Sequence, residues 1–201
     1  MELSGEQRIP APRQTVWEAL NDPDVLKQCI PGCQHIEKSG DNEFTAKVKA
    51  KVGPVNSTFS GKVELTNLNP PESYTISGQG TGGAAGFAKG GADVHLKDEG
   101  DNTLLTYQVN AQVGGKLAQL GQRLIQSTAN KYASQFFENF KNVVTEGEAK
   151  PAEAEAEAPA AEKETEPAEA SGAEERGGVP TGVWIGGAVA VIILLLLIFA
   201  L

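Results

Sequence analysis

The chain has 201 residues, a formal net charge of −9 and two cysteines, Cys29 and Cys33. This length suits one domain with appendages, and the charge lies in residues 146–176, where eleven glutamates accompany three basic residues. The rest of the chain is nearly neutral, which excludes the basic footprint of a nucleic-acid-binding protein. The first residues carry no basic stretch followed by an apolar core. We therefore predict no export signal, and a domain that stays in the cytoplasm without disulfides.

The N-terminal elements are predicted to be a strand and short helices. Residues 2–9 have the pattern of a strand. The following segment, VWEALNDPDVLKQ, predicts one or two short helices, because Trp17 and Leu20 share a helical face and Asp22-Pro23 interrupts the run.

Six further strands are predicted between Cys33 and Val113, separated by turn signals near residues 39–41, 53–54, 69–71 and 99–101. They read CQHIEKS, EFTAKVKAKVG, STFSGKVELTNL, SYTISGQG, FAKGGADVHLKD and TLLTYQVNAQV. In the second of these, apolar residues from Phe44 to Val52 alternate with polar ones, three of them lysines. A period of two with one polar face predicts an antiparallel sheet that is solvated on one side.

A long amphipathic helix is predicted from Lys116 to Val144. Its apolar face is predicted from residues spaced by three and four: Leu117, Leu120, Leu124, Thr128, Tyr132, Phe136, Phe140 and Val143. Such a helix extends for about 42 Å, and only the sheet is available to cover its apolar face. The predicted fold is therefore α+β, with an antiparallel sheet wrapped on a long C-terminal helix.

The remaining residues divide into an acidic linker and a hydrophobic segment. Residues 146–182 are rich in Ala, Glu and Pro and contain no Leu, Ile or aromatic residue, which predicts a disordered linker. Residues 183–201 carry no charge and, at about 28 Å as a helix, match a hydrocarbon core of about 30 Å. A buried core helix is the weaker alternative, because a disordered linker precedes the segment. We expect a domain over residues 1–145, held at the cytoplasmic face of the cell membrane by a single-pass transmembrane tail anchor.

The order of these segments resembles the START-like (SRPBCC) helix-grip superfamily and, within it, the carbon monoxide dehydrogenase G-subunit family. The resemblance rests on VWEALNDPDVLKQCIPGC, the Gly/Ala-rich stretch leading into ADVHL, TYQVNAQVGGKLAQLGQRLI and FFENF, over about 145 residues. It implies a membrane-anchored accessory protein that binds a hydrophobic molecule, such as a respiratory quinone, with no covalently bound cofactor. It also implies a partner enzyme, a molybdenum-containing carbon monoxide dehydrogenase or a similar molybdenum hydroxylase, which this protein recruits or couples to the bilayer.

The stretch SGQGTGGAAGFAKGGADVHL raises the question of a nucleotide site, because Gly78, Gly80 and Gly83 have the spacing of a dinucleotide-binding turn. Such a turn requires a helix directly after the glycines, whereas these lead into a predicted strand. Two interpretations remain open. The glycines bend the sheet or allow close packing of the helix, or they also make room beneath the helix for an apolar ligand.

The candidate site is a hydrophobic cavity between the sheet and the long helix. The candidate lining residues are Phe44, Val48, Phe59, Val63, Ile76, Phe87, Val94, Leu105, Tyr107, Leu117, Leu120, Leu124, Tyr132 and Phe136. We expect a binding protein rather than an enzyme, because no catalytic arrangement of Ser, His, Cys or Asp follows from the spacing. The alternatives are a cyclase-like helix-grip enzyme acting on a hydrophobic substrate and a docking adaptor without a ligand.

A metal site is not predicted. Cys29, Cys33 and His35 have the spacing C-x3-C-x-H, but a structural zinc site has four ligands, and the fourth would have to be the distant His95 or an acidic residue.

Overall fold

A computed structural model describes residues 1–148, and the side chains of residues 1–146. The predicted linker and transmembrane segment lie outside the described residues, apart from the first turn of the linker. Within the described residues no helix is both long enough and apolar enough to cross a bilayer.

Seven strands and three α-helices follow one another along residues 1–148. They are β1 (Glu2–Ile9), α1 (Arg13–Ala19), α2 (Pro23–Cys29), β2 (Cys33–Gly40), β3 (Glu43–Val52), β4 (Val55–Asn69), β5 (Ser73–Thr81), β6 (Phe87–Asp98), β7 (Thr103–Gly114) and α3 (Gln122–Glu148). Short 3₁₀ turns at Gly83–Ala85 and Ala118–Leu120 precede β6 and α3. The predicted first strand, the six-strand run and the long C-terminal helix are confirmed.

The strands form one antiparallel sheet in the order β1-β7-β6-β5-β4-β3-β2. The backbone of α3 approaches this sheet most closely at β1 and β3, which lie near opposite edges. A single helix reaches both edges only because the sheet curls around it, as a helix-grip fold requires.

Glycines in β5 and β6 permit this curvature. A Cβ atom at Gly90 would overlap the carbonyl oxygen of Asn110 on β7, and one at Gly78 would lie 2.9 Å from the carbonyl oxygen of Lys62 on β4. A Cβ atom at Gly91 would lie 2.8 Å from the carbonyl oxygen of Ile76 on β5. The neighbouring backbones approach too closely for a side chain, so these glycines serve bending of the sheet.

The two short helices close one side of the domain. Asp22 caps α2, since its carboxylate accepts hydrogen bonds from the backbone N–H groups of Asp24 at 2.8 Å and Val25 at 3.4 Å. The side chain of Asn139 on α3 donates to the carbonyl oxygen of Cys29 at 3.1 Å, which fixes the end of α2 against the long helix.

The predicted start and apolar face of the long helix are wrong in part. The α-helix begins at Gln122 rather than Lys116, because Gly121 has a φ of +84° after the 3₁₀ turn. Its buried residues are Ile125, Ala129, Ala133, Phe136, Phe137, Phe140 and Val144. Repeated steps of four residues drift by about 40° each in a helix of 3.6 residues per turn, so the predicted stripe leaves the buried face at its N-terminal end.

Candidate functional site

The face of the sheet turned towards α3 is apolar and, in its centre, built from small residues. Alternation in each strand and the register between strands place two rows side by side. These rows are Phe44, Val63, Gly78, Gly90 and Ala111, and Ala46, Gly61, Gly80, Ala88 and Val113. Four of the ten residues are glycine and three are alanine, so the sheet contributes little side-chain volume over β4 to β6.

The helix also presents small residues to the interior. Ala129 and Ala133 are buried on its inner face, followed by the aromatic residues Phe136 and Phe140, whose rings stack with centroids 5.6 Å apart. The interior is therefore filled by aromatic rings towards the C-terminal half of α3 and by short side chains towards its N-terminal half.

Most residues predicted to line the cavity occupy this interior. The inner face of the sheet carries Phe44, Val48, Phe59, Val63, Ile76, Val94, Leu105 and Tyr107. Leu117 and Phe136 are buried in the same core, and Leu120 and Tyr132 are partly buried against it. Leu124 is 36% exposed, and its side chain lies at the turn between β3 and β4, where a Cβ atom on Gly53 would be 2.8 Å from its Cδ2. It therefore lies at the rim of the interior.

Phe87 does not line the interior. It is 50% exposed and lies on the outer face of the sheet. Residues an odd number apart on a strand point to opposite faces, and Phe87 is seven residues from the buried Val94. Phe87 and Val94 therefore cannot both face α3, as the predicted lining required.

The N-terminal end of α3 lies at one end of the domain, where three connections meet. We call this the open end: the β3–β4 turn (52–55), the β5–β6 loop (82–86), the β7–α3 connection (115–121) and the first turns of α3 (122–131). The backbone N–H of Leu117 donates to the carbonyl oxygen of Ala85 at 3.0 Å, and the hydroxyl of Ser57 donates to that of Gly82 at 3.1 Å. The backbone N–H of Lys51 donates to the hydroxyl oxygen of Tyr132 at 3.2 Å, which joins β3 to α3.

The opposite, closed end holds a polar group that the sequence analysis did not identify. Tyr74 is 2% exposed, and its hydroxyl has no hydrogen-bond partner among the described residues. Its ring meets that of Trp17 edge to face, with centroids 5.5 Å apart, and burial raises the pKa of the phenol well above its ordinary value. Tyr74 is two residues from Ile76 on β5, so strand alternation places both side chains on the inner face. The segment SYTIS therefore already indicated that the Tyr74 side chain points inwards.

Two grooves lie on the outer face of the sheet. One of about 840 Å³ is lined mainly by polar residues, including Lys62, Gln79 and Lys89, and one of about 670 Å³ includes the exposed Phe87. Both are open to solvent. The surface of the first groove is about half polar, whereas that of the second is mainly apolar.

The cysteines do not form a metal site. Cys29 is buried, and burial raises its pKa to about 12, whereas Cys33 is half-buried with a pKa raised by the same cause. Metal ligands are thiolates, so a buried thiol of this kind is a poor ligand. The part of the chain that the structure describes has no cluster of three His, Cys, Asp or Glu residues suited to a metal ion.

Comparison with known proteins identifies one family and a shared fold. Residues 5–145 match the family model for the G subunit of carbon monoxide dehydrogenase (CoxG). A conserved protein from Geobacillus kaustophilus is 30% identical, with a TM-score of 0.69 over 73% of this chain and 97% of that one. A comparison with curated protein sequences finds no match.

More distant structures share the fold alone. TTHA0849 from Thermus thermophilus is 16% identical, with a TM-score of 0.56 over 73% of this chain and 99% of that one. The Zhui aromatase/cyclase from a Streptomyces species is 13% identical, with a TM-score of 0.52 over 76% of this chain and 98% of that one. These likenesses confirm the helix-grip fold and say nothing about chemistry.

Proposed function

Because the chain belongs to the CoxG family of carbon monoxide dehydrogenase subunits, we propose that it is an accessory protein that binds a hydrophobic molecule between the sheet and α3. The small residues on both walls of the interior carry this proposal. Gly61, Gly80 and Ala88 on the sheet and Ala129 and Ala133 on the helix carry no side-chain atom beyond Cβ, so both walls contribute little side-chain volume. An apolar guest can occupy such an interior without burying an unpaired polar group of its own.

A respiratory quinone is the ligand that this interior suits best. Its isoprenoid chain is apolar and matches the lining, whereas its ring bears carbonyl oxygens that accept hydrogen bonds. The hydroxyl of Tyr74 is a buried donor without a partner among the described residues, and a quinone carbonyl would satisfy it. Tyr74 lies eight residues along β5 from the Gly82 end, about 26 Å away, so an extended chain would reach from the open end to the hydroxyl.

The proposed partner is a molybdenum-containing carbon monoxide dehydrogenase or a related oxidoreductase. Family membership supports this, and residues 183–201 supply a charge-free segment of bilayer length. Quinones reside in the bilayer, so an anchor and a quinone site on one chain suit transfer between the enzyme and the membrane. In this proposal the protein recruits or couples the enzyme to the membrane and carries out no chemistry itself.

Organic extraction of the purified full-length protein followed by mass spectrometry tests the ligand. We expect quinone in the extract at a constant ratio to protein. Ala133→Leu should lower this ratio because it fills the interior, at a cost of about 1–3 kcal/mol in stability. Ser134→Leu adds a leucine at the exposed neighbouring position, so it is the matched control and should retain the ligand.

A second variant keeps the test independent of packing. Tyr74→Phe removes only the hydroxyl, so the free energy of unfolding should stay constant or rise slightly, whereas quinone affinity should fall roughly fivefold to tenfold. Extracts without any hydrophobic molecule, from protein purified in several detergents, would exclude this function and favour a ligand-free docking adaptor.

A further inference from the structure

Acidic and basic residues are strongly segregated along this chain. Three stretches, residues 44–63, 73–92 and 102–137, contain no Asp or Glu but hold seven lysines and one arginine. Along strands β3 to β7, no Asp or Glu lies closer to the open end than the paired residues Glu43 and Glu64. The fold therefore collects the acid-free stretches at one end of the domain.

The open end is both basic and apolar at its surface. Lys116, Arg123 and Lys131 are exposed on its β7–α3 side, and Lys49 and Lys51 are exposed next to it on β3. None of the ion pairs within residues 1–146 involves these five residues. Between them lies Leu124, which is 36% exposed. Pro54, Ala84 and Ala118 are also exposed at this end.

The opposite end carries acidic residues, most of which are paired with arginine. The β6–β7 turn carries Asp98, Glu99 and Asp101, and the β4–β5 turn carries Glu72. Arg8 pairs with Glu99, and Arg13 pairs with Glu72 and Asp98, so this end is close to neutral. A negatively charged surface attracts the open end more strongly than this end, so it selects an orientation as well as binding.

We propose that the open end docks on the anionic surface of a bilayer, with Leu124 at the level of the headgroups and the five basic residues around it. This rests on the membrane attachment in the proposed function and adds the face by which the domain meets the lipid. Each basic residue close to an anionic leaflet strengthens binding by about fivefold. In this orientation the N-terminal end of α3 and the loops around it face the bilayer.

The segment between α3 and the hydrophobic residues 183–201 is long enough to allow this orientation. The 27 residues of α3 carry the chain about 40 Å from the open end. The 34 residues from 149 to 182 reach at most about 110–120 Å when extended, which is sufficient to return to the bilayer.

Lysine labelling of the full-length protein in vesicles tests the proposal. The protein is reconstituted in phosphatidylcholine vesicles with and without about a third phosphatidylglycerol, and the acylation rate of each lysine is measured by mass spectrometry. We expect the rates at Lys51, Lys116 and Lys131 to fall at least threefold in the anionic vesicles and to recover at high salt. The rate at Lys97, on the acidic end, should stay unchanged and serves as the internal control.

Charge-reversal variants separate docking from attachment. Lys116→Glu with Arg123→Glu should abolish the protection of Lys51, whereas Lys27→Glu with Lys97→Glu is the matched control and should retain it. Flotation of the full-length protein with both kinds of vesicle reports attachment alone, so loss of flotation counts against the proposed function. Flotation with equal labelling rates in both lipids would overturn the docking proposal. A different result would also overturn it: protection of the lysines in both kinds of vesicle, lost when the glutamates of residues 146–176 are replaced by glutamine. The acidic segment, rather than the bilayer, would then cover the open end.

Discussion

Cys29 illustrates how a single buried group responds to its surroundings. Its thiol lies in the core beside α3, and burial raises its pKa from an ordinary 9.0 to about 12. Only the protonated thiol is tolerated in the folded protein, so Cys29 acts as a small apolar side chain rather than as a nucleophile or a ligand.

This raised pKa predicts a loss of stability at alkaline pH. Well below pH 9 the thiol is protonated in both states and its contribution is complete. As the pH rises from 9 towards 12 only the unfolded state releases the proton, so the free energy of unfolding should fall by up to about 1.4 kcal/mol per pH unit. Urea denaturation from pH 8 to pH 10.5 measures this slope.

Cys29→Ala should flatten that slope relative to the unmodified chain, because it removes the titrating group. The same exchange at the half-buried Cys33 should change the slope less. Identical slopes for all three proteins would show that Cys29 ionises equally well in the folded state.

At the scale of secondary-structure elements, the glycines of β5 and β6 are required by the close approach of neighbouring strands rather than by a bound nucleotide. The spacing suggested a dinucleotide turn, but the chain continues into β6 after one 3₁₀ turn, and no α-helix follows the glycines. Their backbone is bent towards β4 and β7, and that close approach excludes a Cβ atom.

Gly90→Ala should therefore destabilise the domain by roughly 2–3 kcal/mol, because the new methyl group would overlap the carbonyl oxygen of Asn110 and force two strands apart. Gly40→Ala is the matched control, since its Cβ atom would meet Glu43 at an ordinary 3.4 Å. Its effect should stay within about 0.5 kcal/mol. Thermal or urea denaturation measures the free energy of unfolding of the two variants. Equal stabilities would contradict the role of Gly90 in sheet curvature.

The sequence pattern predicted the buried face of the long helix correctly only in its C-terminal half. Phe136 and Phe140 were placed correctly on the buried face, but the stripe continued to Leu124 by steps of four and drifted off it. The interior side chains there are Ile125 and Ala129, and alanine gives no strong hydrophobic signal in a sequence.

At the scale of the whole molecule, the position of α3 determines how long the linker must be for the open end to reach the bilayer. The helix starts at the open end and carries the chain about 40 Å away from it. A linker of about ten residues reaches at most about 36 Å, so it should hold the open end off the bilayer.

Shortening residues 146–182 to about ten residues should leave membrane attachment and ligand content unchanged but slow electron delivery from the partner enzyme to the quinone pool. Oxygen consumption by membranes supplied with the partner's substrate measures this. A Gly/Ser linker of the original length should restore most of the rate, because reach rather than composition is required. Equal rates with long and short linkers would contradict shuttling by the domain.

Local patterning in the sequence was sufficient to predict the seven strands, the antiparallel sheet and the C-terminal helix, whereas the family followed from the resemblance of motifs in their order. Periods of two and of three to four residues depend only on neighbours along the chain, so they can be read without a structure. Three features depended on contacts between distant segments: the curl of the sheet around α3, the isolation of the Tyr74 hydroxyl and the gathering of three acid-free stretches at one end. Each arises from strand register and the path of α3 across the sheet, and residues 60 or more positions apart meet there without any signal in their local sequence.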